Sequence, residues 1–371
     1  MPDAHQEPPL SGIRIVEFAA LGPVPMAGMI LADLGADVLR VQRVGRGELD
    51  VIPPDQRDAV LRGRRVIKVD LADPIAKRQV VELIDRADVL IEGYRPGTTE
   101  RLGFGPDVCC AANPGLVYAR MTGWGQGGPT AHTAGHDINY LSVTGALHAI
   151  GRRDAPPPVP LNLIGDYGGG SMFLVTGILA ALLERGRSGR GQVIDAAMVD
   201  GVAALLQPVL SWRSVGQWTD RRESNLLDGA APFYDTYACA DGRYVAVGAI
   251  ENRFYAEFVA GLGLEADALP DRENRAIWPV LRTLFAARIQ QRTRDEWTAV
   301  FGGTDACVTP VLAFEEADTH QQMAARGTLN RDRGSLESSP APRFSRSVHA
   351  PGHSAVEIDI AAALEKWPAR Q

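Results

Sequence analysis

The sequence predicts an α/β protein with a large Rossmann-like domain built on a parallel sheet and a smaller α+β domain. Buried strands alternate with helical segments through the first half of the chain, which is the pattern of a parallel sheet with crossover helices. A polar segment at 217–225 follows this half, and a hairpin comes after it. The 371 residues, of which 45% are hydrophobic and 22% charged, are enough for two folded domains.

The first half of the chain supplies the strands of the predicted parallel sheet. Residues 13–18 (IRIVEF) are predicted to form a buried strand, residues 25–34 a helix that ends before Gly35, and residues 37–41 the next strand. The alternation continues with strands at 66–71, 89–92 and 116–121 and with a helix near 75–86. The turn after the first strand holds only Gly22 and lacks the G-x-G-x-x-G fingerprint, so a dinucleotide site of the usual kind is not predicted.

The second half of the chain is predicted to complete the large domain and then to build the small one. The expected elements are a helix at 170–184 closed by Gly186, a strand at 192–196, a helix near 198–212, a hairpin at 233–240 and 244–248, helices at 254–262, 278–288 and 294–301, a strand at 306–312, an extended segment at 326–353 and a last helix at 358–367. We therefore predict a large domain at 1–215, a linker at 216–228, a small domain at 229–325, and a return segment at 326–371 whose helix packs on the large domain.

The amino-acid composition argues against several classes of protein. The 38 basic and 45 acidic residues give a net charge of −7, which argues against a nucleic-acid surface. Four cysteines without C-x-x-C spacing or a histidine at zinc-ligand spacing predict reduced thiols and no metal site. The polar, proline-rich first ten residues are unlike a signal peptide, and the apolar run 172–183 is shorter than the roughly 20 residues that span a bilayer. We expect a cytoplasmic protein with no membrane partner.

Basic side chains gather near the predicted strand ends. In an open α/β sheet, ligands bind outside the carboxyl ends of the strands, and arginine binds phosphate groups with two hydrogen bonds. Any one of these side chains alone would be explained as a solvated surface charge, but the set predicts an anionic ligand. Its members are Arg40, Arg43, Arg62, Arg64, Arg65, Lys68, Arg95 and Arg101, and the neutral Tyr94 accompanies them.

Residues 134–170 contain the candidate catalytic groups. His136 lies at the start of a loosely amphipathic helix, and Asp166 precedes three glycines at 168–170. A lone histidine is more often structural, and Asp166 alone could simply cap the following helix. The glycines expose backbone N–H donors beside the carboxylate, which can hold a developing oxyanion. We interpret His136 and Asp166 as facing each other across a substrate carbon, and treat His132 and His148 as structural.

The sequence resembles the family III CoA-transferases, and most closely the racemases among them. The stretches that carry the resemblance include GIRIVEFA, ILADLGADVLRV, ARMTGWGQ, AGHDINYLS, PLNLIGDYGGGSM, GQVIDAAMVDG and ADGRYVAVGAIE, which together span nearly the whole chain. The resemblance implies the fold of that family, with a Rossmann-like large domain and a small domain. It also implies two chains interlocked as a homodimer, an acyl-CoA thioester as substrate, and no cofactor.

The resemblance assigns roles to individual residues. It implies that His136 and Asp166 are the catalytic pair and that Glu251 supports the histidine. Gly168 and Gly169 are the oxyanion candidates. The substrate and CoA contacts fall on Arg43, Val69, Asp70, Leu71, Ala72, Tyr94, Arg95, Pro96, Arg101, Gly135, Asp137, Ile138, Asn139 and Tyr140. The chain departs from the family pattern in a longer segment at 44–62 and at Gln42, Val44, Ala72, Asn252 and Arg253, which bears on the CoA contacts and the acyl preference.

The predicted reaction is the interconversion of (2R)- and (2S)-2-methylacyl-CoA thioesters of lipid metabolism. Inverting the carbon next to a thioester carbonyl requires two groups on opposite faces, each able to act as acid or base near neutral pH. Burial would raise the pKa of Asp166 toward that range. A second possibility is CoA transfer with Asp166 as nucleophile, which does not require His136. A third is an acyl-CoA-binding protein without activity.

Overall fold

The computed structural model describes residues 6–45, 58–332, 334–350 and 352–369. The first five residues of the polar N-terminus, residues 46–57 of the long segment 44–62, and the last two residues lie outside the described residues. Structural statements below refer to the described residues.

The described chain contains strands that agree closely with the predicted ones in the first half. They are Arg14–Phe18 (β1), Asp37–Arg43 (β2), Arg64–Val69 (β3), Val89–Glu92 (β4), Val117–Thr122 (β5), Val193–Ala197 (β6), Tyr234–Ala238 (β7), Tyr244–Gly248 (β8), Val308–Pro310 (β9), Leu329–Asp332 (β10), Ser335–Ser338 (β11) and Val356–Glu357 (β12).

The helices connect these strands or follow them. They are Pro23–Asp33 (α1), Pro74–Asp85 (α2), Thr98–Leu102 (α3), Pro106–Ala112 (α4), Asp137–Thr144 (α5), Ala146–Ala149 (α6), Met172–Ser188 (α7), Met198–Leu205 (α8), Gln207–Ser214 (α9), Asn252–Gly261 (α10), Trp278–Ile289 (α11), Arg294–Phe301 (α12), Phe314–Ala317 (α13), Gln321–Arg326 (α14) and Ile360–Lys366 (α15). Short 3₁₀ turns occur at Ala59–Leu61, Leu161–Leu163, Ala266–Ala268 and Arg275–Ile277, and a π-helical segment at Ile164–Ser171.

The described residues form two compact units. The first comprises the described residues of Met1–Thr144, Pro160–Leu206 and Pro340–Gln371, and the second comprises Gly145–Val159 and the described residues of Gln207–Ser339. The sequence analysis assigned residues 145–159 to the large domain. In the structure, Arg152 of this segment bonds the carboxylates of Glu223 (2.9 Å) and Asp235 (2.8 Å), which ties the segment to the second unit.

The first unit is built on a seven-stranded parallel sheet. Its strand order is β12-β3-β2-β1-β4-β5-β6, and every neighbouring pair is parallel. This arrangement contains the 3-2-1-4-5-6 order of Rossmann sheets and confirms the predicted α/β fold. Because the strand order reverses at β1, the crevice beyond the carboxyl ends of β1 and β4 is where such sheets bind ligands.

Helices pack on both faces of this sheet, so apolar residues of its strands are buried on both sides. Successive residues of a strand point to opposite faces. Ile15 therefore joins the core under α1 and α7, which includes Ile178, and Val16 joins the core under α2 and α15. The C-terminal Trp367 is fully buried in that second core, which fixes α15 against the first unit.

The second unit has its own core on a three-stranded antiparallel sheet of β7, β8 and β9. The predicted hairpin is present as β7 and β8. Helices α10, α11 and α12 contribute Phe258, Phe285 and Trp297, all buried. The Phe258 and Phe285 rings meet edge to face, with centroids 5.1 Å apart.

Three predicted elements have different bounds in the structure. The helix expected near 198–212 is broken at Leu206, because Pro208 has no N–H to donate to the preceding turn. The strand expected at 306–312 is shortened to β9, because Cys307 has a positive φ of 53°. The segment expected to be extended at 326–353 contains the antiparallel hairpin of β10 and β11.

The helix around the predicted apolar run 172–183 is longer than the sequence indicated. The helical stretch runs from Leu161 to Ser188 and contains 28 residues. Gly186 does not end it, whereas Gly189, with φ 72°, does. By length and composition this stretch could cross a membrane, but the core helix of a soluble protein passes the same test. Here Leu174 and Ile178 are buried in the core of the first unit.

Candidate active site

Asp166 lies inside a helix rather than at its start. Residues Ile164–Ser171 form the π-helical segment that leads directly into α7. The alternative role considered for Asp166, as a cap of this helix, does not apply, because the helical stretch begins at Leu161 and Ser171 stands at the start of α7. Segments of π-helix are rare and often occur at functional sites.

Three neighbours fix the position of the Asp166 carboxyl group. Asn162 donates a hydrogen bond from Nδ2 to Oδ2 of Asp166 at 3.2 Å. Asp137 accepts the backbone N–H of Asp166 through Oδ2 at 2.8 Å. Gly22, in the turn after β1, has φ +61°, and a Cβ there would stand 2.9 Å from Asp166 Oδ2. The carboxyl group therefore lies at the point where the strand order of the sheet reverses.

The three glycines after Asp166 allow two helical segments to approach closely. A Cβ on Gly169 would stand 2.9 Å from the backbone nitrogen of Val202, and a Cβ on Gly201 would overlap the carbonyl oxygen of Gly169. Gly168 is half-buried, whereas Gly169 and Gly170 are buried. The glycines are therefore needed for this close packing, which the sequence did not reveal. The oxyanion role of Gly168 and Gly169 stays a prediction.

His136 immediately precedes α5, and its backbone is held by the residues of the first turn. The N–H of His136 donates to Asn139 Oδ1 at 3.0 Å, and its carbonyl accepts from the N–H of Asn139 and of Tyr140. Tyr140 is buried, donates to the carbonyl of Gly135, and meets Trp124 edge to face at 4.8 Å. The side chain of His136 itself is exposed, as is that of Ile138.

The protonation of Asp166 reflects these neighbours. Burial raises the pKa of Asp166 above its ordinary value, and the negative charge of Asp137 raises it further. The hydrogen bond from Asn162 and the charge of His136 lower it. The hydrogen bond from the Asp166 N–H to Asp137 joins the Asp166 segment to the residue after His136, and the pairing of the His136 and Asp166 side chains stays a prediction.

Most of the basic side chains expected to bind an anion instead form ion pairs within the chain. Glu17 is fully buried and pairs with both Arg40 and Arg64. Arg62 pairs with Asp33 and Arg65 with Asp37, whereas the exposed Lys68 pairs with the exposed Glu357 at the surface. These carboxylates are distant in sequence, so local inspection could not reveal them. Arg40, Arg62 and Arg64 are buried in their pairs, so their charge is not presented to a ligand.

Arg43, Arg95 and Arg101 keep exposed side chains at the carboxyl edge of the sheet. Arg43 ends β2, and the other two follow β4. Arg101 donates to Thr98 Oγ1 at 3.0 Å. Burial raises the pKa of Tyr140 to about 12. The negative charge of Asp166 raises this pKa as well, and the positive charge of Arg95 lowers it. The Arg95 segment therefore lies near the helix that follows His136.

The remaining expected CoA contacts lie beyond β3 and β4. Val69 is the buried end of β3, and Ala72 donates its N–H to Asp70 Oδ1 at 2.9 Å, which shapes the turn containing Leu71. Pro96 is buried. Because the strands are parallel, these segments share one edge of the sheet. Of the departures from the family pattern, Gln42 is half-buried in β2 and Val44 is exposed.

A buried ion network supports the segment after β4, and the sequence analysis missed it. Glu92 accepts the N–H of Tyr94 at 2.7 Å and pairs with Arg120 at 2.9 Å. Arg120 in turn pairs with Glu100 on α3 at 2.8 Å. Asn162 was also missed, because it lies in the 3₁₀ turn Leu161–Leu163, ahead of the helix predicted from the sequence.

Glu251 belongs to the second unit. It directly precedes α10, and its side chain is exposed and makes no capping hydrogen bond. Asn252 accepts a hydrogen bond from Arg272 at 2.6 Å, and Arg253 stacks on Phe254 with its guanidinium 4.4 Å from the ring centroid. Both departures from the family pattern after Glu251 therefore have partners in the second unit.

The described residues include no group of three His, Cys, Asp or Glu side chains arranged to hold a metal ion. All four cysteines are free thiols: Cys109 and Cys239 are buried, Cys110 is half-buried and Cys307 is exposed.

The fold and the site define an α/β protein with a candidate acid–base pair beside the carboxyl edge of a Rossmann-type sheet. The chain belongs to CoA-transferase family III, whose sequence model matches residues 10–353.

Curated relatives and solved structures are similar over most of the chain. α-Methylacyl-CoA racemase of Mus musculus is 46% identical over 344 residues, covering 92% of this chain and 88% of the relative. The Homo sapiens protein of that name is 43% identical, covering 90% and 86%. Acetyl-CoA:oxalate CoA-transferase of Acetobacter aceti is 30% identical, covering 89% and 88%. The crystal structure of a CaiB/BaiF family protein from Brucella suis superposes with a TM-score of 0.82 at 25% identity, covering 98% and 100%.

Opposite shifts in the pKa of Asp166 are expected from two substitutions. Asp137→Asn should lower it, because the negative charge is removed while an amide oxygen can still accept the N–H of Asp166. Asn162→Ala should raise it, because the carboxylate loses a hydrogen bond. The measurement is a ¹³C NMR titration of protein labelled at the aspartate carboxyl carbons, with Asp166→Asn identifying the resonance. Asp200→Asn, an exposed change on α8, is the control. Shifts in the same direction would contradict this account.

Proposed function

We propose that this protein is a racemase that interconverts (2R)- and (2S)-2-methylacyl-CoA thioesters by exchanging the α-proton. The observation that carries the proposal is the hydrogen bond of 2.8 Å from the Asp166 N–H to Asp137 Oδ2, which joins the half-buried Asp166 to the residue directly after His136. Burial also raises the pKa of Asp166 above its usual range. The α-methylacyl-CoA racemases at 46% and 43% identity support it.

The two groups perform a balanced proton exchange. With one epimer, neutral His136 removes the α-proton, and the electrons of the C–H bond form an enolate. Protonated Asp166 then delivers its proton to the opposite face of the carbon. With the other epimer, the Asp166 carboxylate removes the proton and the His136 imidazolium returns one. The raised pKa of Asp166 increases the fraction of this carboxyl that is protonated near neutral pH, which suits both roles.

The enolate oxygen between the two groups needs hydrogen-bond donors. The backbone N–H groups of Gly168 and Gly169 follow Asp166 directly along the chain and are the candidates for this role. Glu251 is proposed to orient the imidazole of His136 and to stabilise its protonated form. These steps need no group beyond the side chains and the thioester, so we expect no cofactor. We also expect a cytoplasmic protein without a membrane partner.

CoA transfer is the alternative reaction, because the family also contains transferases such as the Acetobacter aceti relative. In that reaction Asp166 would attack the thioester carbon and expel the CoA thiolate, giving an acyl-enzyme anhydride. The presence of His136 directly before Asp137, whose carboxylate accepts the N–H of Asp166, favours proton exchange, because transfer does not require the histidine. A protein that binds acyl-CoA without turnover is the remaining alternative.

Exchange of the substrate α-proton for deuterium in D₂O tests the proposed mechanism. The wild-type protein should replace the α-hydrogen of either epimer of a 2-methylacyl-CoA with deuterium and form the other epimer. His136→Ala and Asp166→Asn should each lower racemisation by about 10²–10⁴-fold. Each variant should still exchange the α-proton of one epimer, and the two variants should retain opposite epimers. ¹H NMR of the α-hydrogen measures this directly.

The control and the contrary outcomes are equally specific. His132→Ala, an exposed histidine outside the pair, should behave as wild type. Movement of CoA to an added carboxylic acid without α-proton exchange would contradict the racemase proposal and make Asp166 a nucleophile. Tight binding of several 2-methylacyl-CoA esters with neither reaction would favour the non-catalytic binder.

The exposed arginines at the sheet edge are proposed to bind the CoA phosphates. Charge-assisted hydrogen bonds contribute about 1.5–3 kcal/mol each, so Arg95→Gln and Arg101→Gln should each weaken CoA binding by roughly 10- to 100-fold. Isothermal titration with free CoA measures this. Lys68→Gln is the matched control, because Lys68 already pairs with Glu357. An equal loss in Lys68→Gln would contradict the division between paired and ligand-binding charges.

A homodimer is proposed as the working assembly. The first unit exposes apolar side chains on and near α5, α7 and α8, and such exposure often marks protein interfaces. They are Ile138, Val143, Leu161, Leu163, Met172, Phe173, Leu183 and Leu205. Sedimentation velocity should give about twice the chain mass of 39.9 kDa. Phe173→Asp should shift the protein toward the monomer, whereas Val108→Asp on α4 should not. A monomeric wild-type protein would contradict the proposal.

A further inference from the structure

The backbone around Glu251 is held by one arginine of the second unit. Arg272 donates from Nη2 to the carbonyl of Ile250 at 2.7 Å and to Oδ1 of Asn252 at 2.6 Å. It also donates from Nη1 to the carbonyl of Ala249 at 3.4 Å. Its partners therefore include the two residues before Glu251 and the residue after it.

The guanidinium of Arg272 is itself held by aromatic rings. It lies 4.8 Å from the centroid of Phe233 and 4.6 Å from that of Tyr255, both within the range of cation–π attraction. The indole N–H of Trp278 donates to the Arg272 carbonyl at 2.7 Å. Only 11% of the Arg272 side chain is exposed. These contacts fix the plane and the position of the guanidinium.

The carboxylate of Glu251 takes no part in this arrangement. Glu251 has an extended backbone with φ −70° and ψ 148° at the start of α10, and its side chain makes no capping hydrogen bond. The main chain on both sides is thus restrained while the carboxylate stays exposed for another partner. A restrained main chain reduces the conformational freedom that the carboxylate must lose when it acts.

We propose that Arg272 is a positioning residue, which restrains the main chain on both sides of Glu251 and so aims its carboxylate. This inference rests on the proposed role of Glu251 toward the catalytic histidine. Arginine suits the task because its planar group can donate several hydrogen bonds in fixed directions while its faces stack on rings. A lysine at this position could not reproduce both features.

A double-mutant cycle between Arg272 and Glu251 tests the inference. In the wild-type protein, Arg272→Met should lower kcat for racemisation by roughly 10- to 100-fold, because misplacement of a supporting group by about 1 Å has effects of that size. KM for the thioester should change little. In a Glu251→Gln background, Arg272→Met should lower kcat by less than about twofold, because the group that Arg272 positions has already been altered. Arg272→Lys should resemble Arg272→Met.

Two further variants make the test specific. Arg275→Met removes an exposed arginine that also stacks on an aromatic ring, with its guanidinium 5.5 Å from Trp278, and should leave kcat unchanged. Asn252→Ala removes one Arg272 partner from an exposed position and should show a smaller loss that also disappears in the Glu251→Gln background. If Arg272→Met does not fold, the Asn252→Ala cycle decides.

The possible failures can be told apart. Equal losses from Arg272→Met with and without Glu251→Gln, at unchanged thermal stability of the single variants, would overturn the positioning role while leaving the role of Glu251 intact. Equal losses from Asn252→Ala in the two backgrounds would do the same. A Glu251→Gln variant with wild-type kcat would instead remove the premise, and that single variant alone would identify the proposed function of Glu251 as the error.

Discussion

The site depends on the close approach of backbones around Asp166. Gly22 leaves room for the carboxyl group beside the turn after β1, and Gly201 lets α8 lie directly against Gly169. Side chains at these positions would push the π-helical segment away from the sheet or displace the carboxylate. The turn after β1 leaves space for the Asp166 carboxyl group. This space determines where the carboxyl lies relative to α5, the helix after His136.

The charged side chains of the first unit fall into two groups, those buried in ion pairs and those exposed at the surface. Glu17 pairs with both Arg40 and Arg64 in the interior, and the buried Glu92 pairs with Arg120 below the segment after β4. A buried charge without a partner is strongly unfavourable, so these side chains are committed to the fold. Arg95 and Arg101, which follow β4, keep exposed side chains and are the residues proposed to bind the CoA phosphates.

The sequence predicted the large-domain sheet well, because its short strands alternate regularly with helical segments and β1 and β4 are mostly apolar. It also indicated His136 and Asp166 as the candidate pair, through their surroundings and through a resemblance that covers most of the chain, and their catalytic roles stay a prediction. It could not predict which arginines are consumed internally, since Arg64 and Glu17 are far apart in sequence. The π-helical segment was equally hidden, because three consecutive glycines are unfavourable inside a helix and indicated a turn before it.

The π-helical segment has a consequence for how this protein can change. A π-turn accommodates one more residue than a regular helical turn, and glycine does little to favour the regular form. Substitutions that strengthen ordinary helix formation between Ile164 and Ser171 would therefore rotate Asp166 around the helix axis. Residues that stabilise a regular helix here would displace the Asp166 carboxylate. Substitutions that raise thermal stability and keep this carboxylate in place would therefore have to lie elsewhere in the chain.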